Sequence, residues 1–153
     1  MTKRLNPLAA APDMIKAWYG VSMTIENAGL EKSLVELVKI RASQINGCAI
    51  CLDMHTRDAR KAGESEQRIF LLDAWREADL YTPRERSDLA WTEALTKLHV
   101  THAPDDVYAE VKKHFSEEEQ VKLSLMITVI NGWNMLGVGF RASNADSPGA
   151  IAA

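Results

Sequence analysis

The chain has two cysteines in 153 residues, Cys48 and Cys51, and His55 follows the second by one helical turn. On a helix, positions i, i+3 and i+7 share a face. Cys48, Cys51, Leu52, His55, Ala59 and Ala62 therefore form one small, largely apolar stripe. Asp53, Thr56, Arg57, Asp58, Arg60 and Lys61 fall on the opposite, solvent-facing side. Asn46-Gly47 before the cysteines is a break between helices, because both residue types tolerate the left-handed conformation of a C-terminal cap. A helix starting near Cys48 puts both sulfurs in its first turn. Unpaired backbone N–H groups and the helix dipole there favour thiolate over thiol. A dithiol with a base one turn away is equipped for thiol–disulfide and peroxide chemistry.

Blander readings compete at each position. Cysteine favours interiors, so the pair could be two buried structural thiols. Cys48, Cys51 and His55 could give three zinc ligands, but no second Cys-x-x-Cys or histidine pair completes a closed site. His55 could be a satisfied core histidine. His99, His102 and His114 lie in polar contexts and receive no role. Trp18, Trp75, Trp91 and Trp133 read as core or subunit-contact residues.

The elements that would position these groups are all helical. With 46% apolar and 25% charged residues, the chain reads as one soluble globular domain. A net charge of −3 leaves no basic footprint for nucleic acid. Two closely spaced cysteines are no secreted disulfide framework; they point to a reducing, cytoplasmic compartment. The N-terminus lacks the apolar run of a signal peptide.

Residues 1–10 read as an extended lead-in. A first helix runs from Pro12 to about Ala28, packing through Ile15, Trp18, Tyr19, Val21, Met23 and Ile25, with Gly29 as its stop. A second spans about Glu31 to Asn46 and has two apolar faces, which places it in the middle of something. Glu36 on it is then a partly buried carboxylate, raised in pKa unless paired; it could instead simply pair with a neighbouring arginine or lysine. The cysteine helix ends at Gly63. A fourth helix runs from Ser65 to about Ala78, bent near Asp73. Thr82-Pro83-Arg84-Glu85 and Ser116 to Glu119 are capping boxes opening two more, on either side of a short helix from about Pro104 to Phe115. The charge-free run Leu123 to Phe140 holds three glycines and several polar residues, and reads as a buried central helix rather than a membrane span. The domain is expected over 1–142, with 143–153 as a flexible tail. Ile45-Asn46-Gly47 and Ile130-Asn131-Gly132 form a weak internal echo.

Glu36, Cys48, Cys51 and His55, with Leu37 to Gly47 before the cysteines and Thr82 to Arg86 and Leu89 to Thr96 after them, resemble the active-site signature of the alkyl hydroperoxidase D (AhpD) family. That family lies within the carboxymuconolactone decarboxylase superfamily. The likeness covers about residues 15–100. It implies an all-α, AhpD-like helical bundle and a homotrimer or homohexamer. It also implies a peroxidatic Cys51, a resolving Cys48, and Glu36 and His55 in a proton relay. The family's additional histidine, directly before the second cysteine, is Ile50 here. Dipole position alone favours Cys48 as the more acidic thiol. The nearness of His55 favours Cys51, and the resemblance agrees with His55.

Three functions follow as expectations. The first is a thiol-dependent peroxidase acting on a hydroperoxide and recycled by a lipoyl-type or thioredoxin-like dithiol; no haem, flavin or nucleotide motif is visible. The second is a carboxymuconolactone decarboxylase-type lyase, a chemistry that needs no cysteine pair. The third is a non-enzymatic oligomer whose disulfide alters a contact.

Overall fold

The protein was analysed as a computed structural model that describes residues 2 and 4–142. The expected tail, 143–153, lies outside the described residues. The described residues form nine α-helices and one 3-10 turn in a single all-α domain, with no strand among them. They are α1 (Pro7–Ala10), α2 (Pro12–Glu26), α3 (Lys32–Asn46), α4 (Ala49–Lys61), α5 (Glu66–Phe70), α6 (Pro83–Thr96), α7 (Leu98–Thr101), α8 (Asp105–His114) and α9 (Glu117–Gly139). The 3-10 turn is Leu72–Ala74, between α5 and α6.

The centre is α3. Every residue from Leu34 to Ser43 is buried, because α4, α6 and α9 pack around it. One apolar cluster joins Leu34, Val35, Val38 and Ala42 to Trp91, Leu123, Met126, Ile127 and Ile130. A second joins Leu37 and Ile40 to Ala59, Ile69, Leu72, Trp75 and Leu89. The two apolar faces read in the sequence are both in use.

The capping signals act as their residue types dictate. Thr82 Oγ1 accepts from Glu85 N–H at 3.2 Å, and Glu85 Oε2 accepts from Thr82 N–H at 2.8 Å. The same reciprocal pair, at 3.3 and 2.8 Å, links Ser116 and Glu119. Each box satisfies two backbone donors that the first helical turn leaves open.

Four expectations are corrected. Residues 7–10 form a helical turn, not an extended lead-in: Asn6 Oδ1 caps Leu8 N–H at 2.9 Å and Pro7 takes the first helical position. Val21 and Met23 on α2 are exposed, because only the Trp18–Ser22–Ile25 side meets the core. The helix expected over 65–78 stops at Phe70. Its continuation folds as the 3-10 turn, carrying Leu72 and Trp75 inward. The carbonyls this frees accept from Arg86: Trp75 O at 2.9 Å, Arg76 O at 2.6 Å and Ala78 O at 3.2 Å. Finally, α9 is not buried all round. It packs on α2, α3, α4, α6 and α8, while Val121, Leu125, Met135 and Val138 remain exposed. By length and composition α9 is the one described helix able to cross a membrane.

Asp88 is a buried acid with no basic partner bonded to it among the described residues. Asp88 on α6 has no exposed surface, its Oδ2 lacks a partner, and its Oδ1 meets only Thr92 Oγ1 at 3.5 Å. Burial pushes its carboxyl well above the ordinary carboxylate range. A folded-state pKa above the unfolded one contributes stability that is complete below the unfolded value, about 3.9, and lost as pH rises through the folded one. Asp88→Asn, which stands for the neutral acid, should therefore raise the melting temperature at pH 8. That gain should shrink as melting is repeated toward pH 4.

Candidate active site

The site sits where α3 hands over to α4. Gly47 closes α3 in the left-handed conformation, at φ 65° and ψ 33°. Two bonds then satisfy the last carbonyls of α3: Cys48 N–H to Ser43 O at 3.0 Å and Gly47 N–H to Gln44 O at 3.3 Å. This is the six-to-one and five-to-two pattern of a glycine-terminated helix. Cys48 takes the N-cap of α4 with extended backbone, and its carbonyl accepts the first bond of that helix, from Leu52 N–H at 2.9 Å. Cys51 follows in the first turn. The two sulfurs are joined as a disulfide with Cα atoms 5.4 Å apart, within the usual range for such bridges. Both cysteines are buried, at 1% and 3% exposure. Among the described residues, no group of three His, Cys, Asp or Glu side chains is placed to hold a metal ion.

Of the expected stripe on α4, Cys51, His55 and Ala59 are buried, Leu52 is half-buried and Ala62 is exposed at the helix end. His55 points inward to meet α3. Its Nδ1 lies 3.4 Å from Glu36 Oε2, long for a hydrogen bond but close for an ion pair, and neither atom has another partner. Glu36 Oε1 accepts from Lys39 Nζ at 3.1 Å. Burial acts to raise the Glu36 carboxyl, but the His55 ring and the Lys39 charge outweigh it and leave the group below its ordinary value. Glu36 is thus a buried carboxylate held ionised by its neighbours, the paired case left open by the sequence. All four residues singled out there, Glu36, Cys48, Cys51 and His55, are buried at the α3–α4 junction.

Residues not singled out complete the site. The interior lysine, Lys39, is one. A set of side-chain amides is another: Asn46 Nδ2 donates to Asn131 Oδ1 at 2.8 Å and to Asn134 Oδ1 at 2.9 Å. Asn134 Nδ2 donates to Ser43 Oγ at 3.0 Å, and Asn131 Nδ2 to Thr96 Oγ1 at 3.0 Å. The network pins α9 to the end of α3. Asn46 and Asn131 are the two asparagines of the weak Ile-Asn-Gly echo, which carries no role in the sequence alone. One turn beyond Asn134, Gly137 lies against the disulfide. A Cβ there would sit 2.8 Å from Cys48 Sγ, 3.4 Å from Ile50 Cγ2 and 3.6 Å from Cys51 Sγ. Glycine is what lets α9 cover the sulfurs this closely. Ile50, where the resembling family carries histidine, adds an apolar wall.

Overpacking of this kind costs about 1–3 kcal/mol. Gly137→Ala should therefore lower the melting temperature of the oxidised protein. Gly20→Ala, at a helical position with open space around it, should be neutral or stabilising by about 0.5–1 kcal/mol. Thermal melts of the two variants side by side give the contrast in sign.

Comparison with known proteins agrees with this geometry. A Bacillus subtilis relative, the uncharacterized protein YdfG, is 41% identical over 146 residues, covering 94% of this chain and 99% of its own. A solved structure from Agrobacterium tumefaciens, a protein of unknown function considered a candidate AhpD antioxidant-defence protein, is 44% identical with a TM-score of 0.90, covering 93% of this chain and 97% of its own. The alkyl hydroperoxide reductase AhpD of Bradyrhizobium diazoefficiens is 47% identical over 45 residues, 29% of this chain and 25% of that protein. Residues 12–94 match the family profile that takes in α2 to α6 and the whole dithiol site, so the chain belongs to the carboxymuconolactone decarboxylase family.

Proposed function

We propose that the protein is a thiol-dependent peroxidase of the AhpD type. The observation that carries this reading is the buried Glu36–His55 pair, with His55 one helical turn along α4 from Cys51 of the Cys48–Cys51 disulfide. In the reduced protein, Cys51 thiolate attacks the distal oxygen of a hydroperoxide. The O–O bond breaks, the leaving alkoxide takes a proton and departs as alcohol, and Cys51 becomes a sulfenic acid. Cys48 thiol then attacks that sulfur, expelling water and forming the disulfide. An external dithiol restores both thiols by two exchange steps and leaves as its own disulfide. Glu36 and His55 serve the protons: the carboxylate orients the ring through Nδ1, so Nε2 is the nitrogen left to exchange a proton with the thiol pair.

Burial of both sulfurs favours a slender reductant arm, such as a lipoyl group, over a broad protein face. The family name raises a lyase reading, in which activity would survive loss of both cysteines. The exposed apolar positions on α9, Val121, Leu125, Met135 and Val138, support assembly into a homotrimer or homohexamer, since a single chain leaves them in water.

Single-turnover peroxide kinetics test the chemistry. Glu36→Gln and His55→Gln should slow thiol oxidation by about 10²–10⁴. Because Lys39 retains Glu26 when Glu36 is neutralised, the stability cost should stay near 1–3 kcal/mol. Cys51→Ser should abolish peroxide attack, Cys48→Ser should permit one attack and trap a sulfenic acid, and Ile50→His should raise the rate. Unchanged rates in both relay variants would reduce the site to a bare dithiol.

Assembly is checked separately. Light scattering at micromolar concentration should give a multiple of the 17.0 kDa chain. Leu125→Glu combined with Met135→Glu should lower that mass. A monodisperse parent monomer would contradict the assembly.

A further inference from the structure

Lys39 is a lysine in the interior, 4% exposed, on the most buried stretch of the chain. Its Nζ lies 2.8 Å from Glu26 Oε1 on α2 and 3.1 Å from Glu36 Oε1 on its own helix. The other Glu36 oxygen faces His55 Nδ1 at 3.4 Å. Glu26, Lys39, Glu36 and His55 thus form a row from the half-buried edge of the fold to the thiol site. Their side chains are 38%, 5%, 5% and 10% exposed in that order. As a set they are charge-neutral when His55 carries a proton.

An i,i+3 pair on a helix surface contributes little and leaves both side chains mobile. In the interior the same spacing has a different result. A buried ammonium persists only if its charge is matched and its protons are bonded. Glu26 and Glu36 do both for Lys39, and the arrangement commits one oxygen of Glu36. Of the other charges near α3, the buried Asp88 of α6 meets Thr92 and does not act on Glu36. On α6, Glu93 binds Arg41 and Arg76, Glu85 binds Arg68, and Arg84 binds Glu31 and Glu119. On α9 the charges Glu117, Glu118, Glu119 and Lys122 lie in the first two turns. What faces Glu36 is therefore Lys39 on its own helix and His55 on α4, with Glu26 of α2 reaching it through Lys39.

We propose that Lys39 is a positioning residue for the thiol site. It holds Glu36 as a carboxylate with one oxygen engaged, so that the second oxygen stays aimed at His55 Nδ1 and the Nε2 edge of the ring is kept for proton exchange. Glu26 is the counter-charge that allows an ammonium to occupy this place. The use of this arrangement in catalysis rests on the peroxidase reading; the arrangement itself does not.

The test compares Lys39→Met, which removes the charge at similar length, with Lys39→Arg, which keeps it. Two spectroscopic readouts are independent of turnover: the titration of the Glu36 carboxyl by carbon NMR, and the tautomer of His55 by nitrogen NMR. In Lys39→Met the Glu36 midpoint should rise and the Nδ1–H tautomer should lose its dominance. The single-turnover peroxide rate at neutral pH should fall by about 10²-fold, the scale of a misplaced catalytic group. Lys39→Arg should restore all three. Lys39→Gln, which retains a hydrogen-bond donor without charge, gives the same comparison if the methionine variant does not fold. A Lys39→Met or Lys39→Gln protein that melts lower yet keeps the parent Glu36 midpoint and His55 tautomer would overturn the proposal. A spectroscopic response in a protein whose parent consumes no peroxide would support the positioning role and overturn only the peroxidase reading.

Discussion

The structure depends on matching the charges that α3 carries into the interior. Between Leu34 and Ser43 every residue is buried, and three of them are ionisable: Glu36, Lys39 and Arg41. None of these could stay charged there alone, because an unpaired ion in a poorly hydrated interior costs several kcal/mol. The neighbours supply the partners. Helix α2 brings Glu26 to Lys39, α4 brings His55 to Glu36, and α6 brings Glu93 to Arg41 at 2.9 Å. Glu93 in turn accepts from Trp75 Nε1 at 2.8 Å and Arg76 at 2.6 Å, which ties the irregular segment after α5 into the same set. Leaving one of these ions with no partner at all typically costs about 3–5 kcal/mol. The packing of α4 and α6 around α3, and the link from α2, are thus fixed by charge as well as by apolar fit.

The thiol site is a product of that constraint. His55 must turn inward to reach Glu36, which sets the rotation of α4 and brings Cys51, on the same face, inward with it. The asparagine network then fixes α9 to the end of α3, and Gly137 admits the sulfurs against its backbone. Two disulfide-forming cysteines alone would be a redox-labile loop. The buried Glu36–His55 pair supports the proposed role of the site in moving protons where water is scarce.

What could be read from the chain was whatever depends on neighbours in sequence. Thr82 and Ser116 cap helices through bonds three residues away. Asn46-Gly47 ends a helix through its own backbone freedom, and Cys48, Cys51 and His55 share a face by helical spacing alone. Apart from the Asn6 cap, the differences involve partners far along the chain. After the helix that Ser65 caps, the chain turns and Arg86 takes the carbonyls of Trp75, Arg76 and Ala78, and no local signal encodes that partner. Lys39 reads as an ordinary surface lysine until Glu26, on the preceding helix, is brought beside it. The outward face of α9 is as apolar as its inward face, so periodicity could not say which side the single chain would cover. Asn6 before Pro7 is a local cap, accepting from Leu8 N–H two residues on.

The proposed peroxidase chemistry requires that the dithiol react with peroxide faster than a dithiol lacking the Glu36–His55 pair. The most direct measurement is the stoichiometry and rate of thiol loss when the reduced protein meets one equivalent of an alkyl hydroperoxide. The account predicts that two thiols disappear per peroxide, that one Cys48–Cys51 disulfide forms per chain, and that the reaction runs far faster than with a free small-molecule dithiol at the same pH. Oxidation no faster than that free dithiol would contradict it.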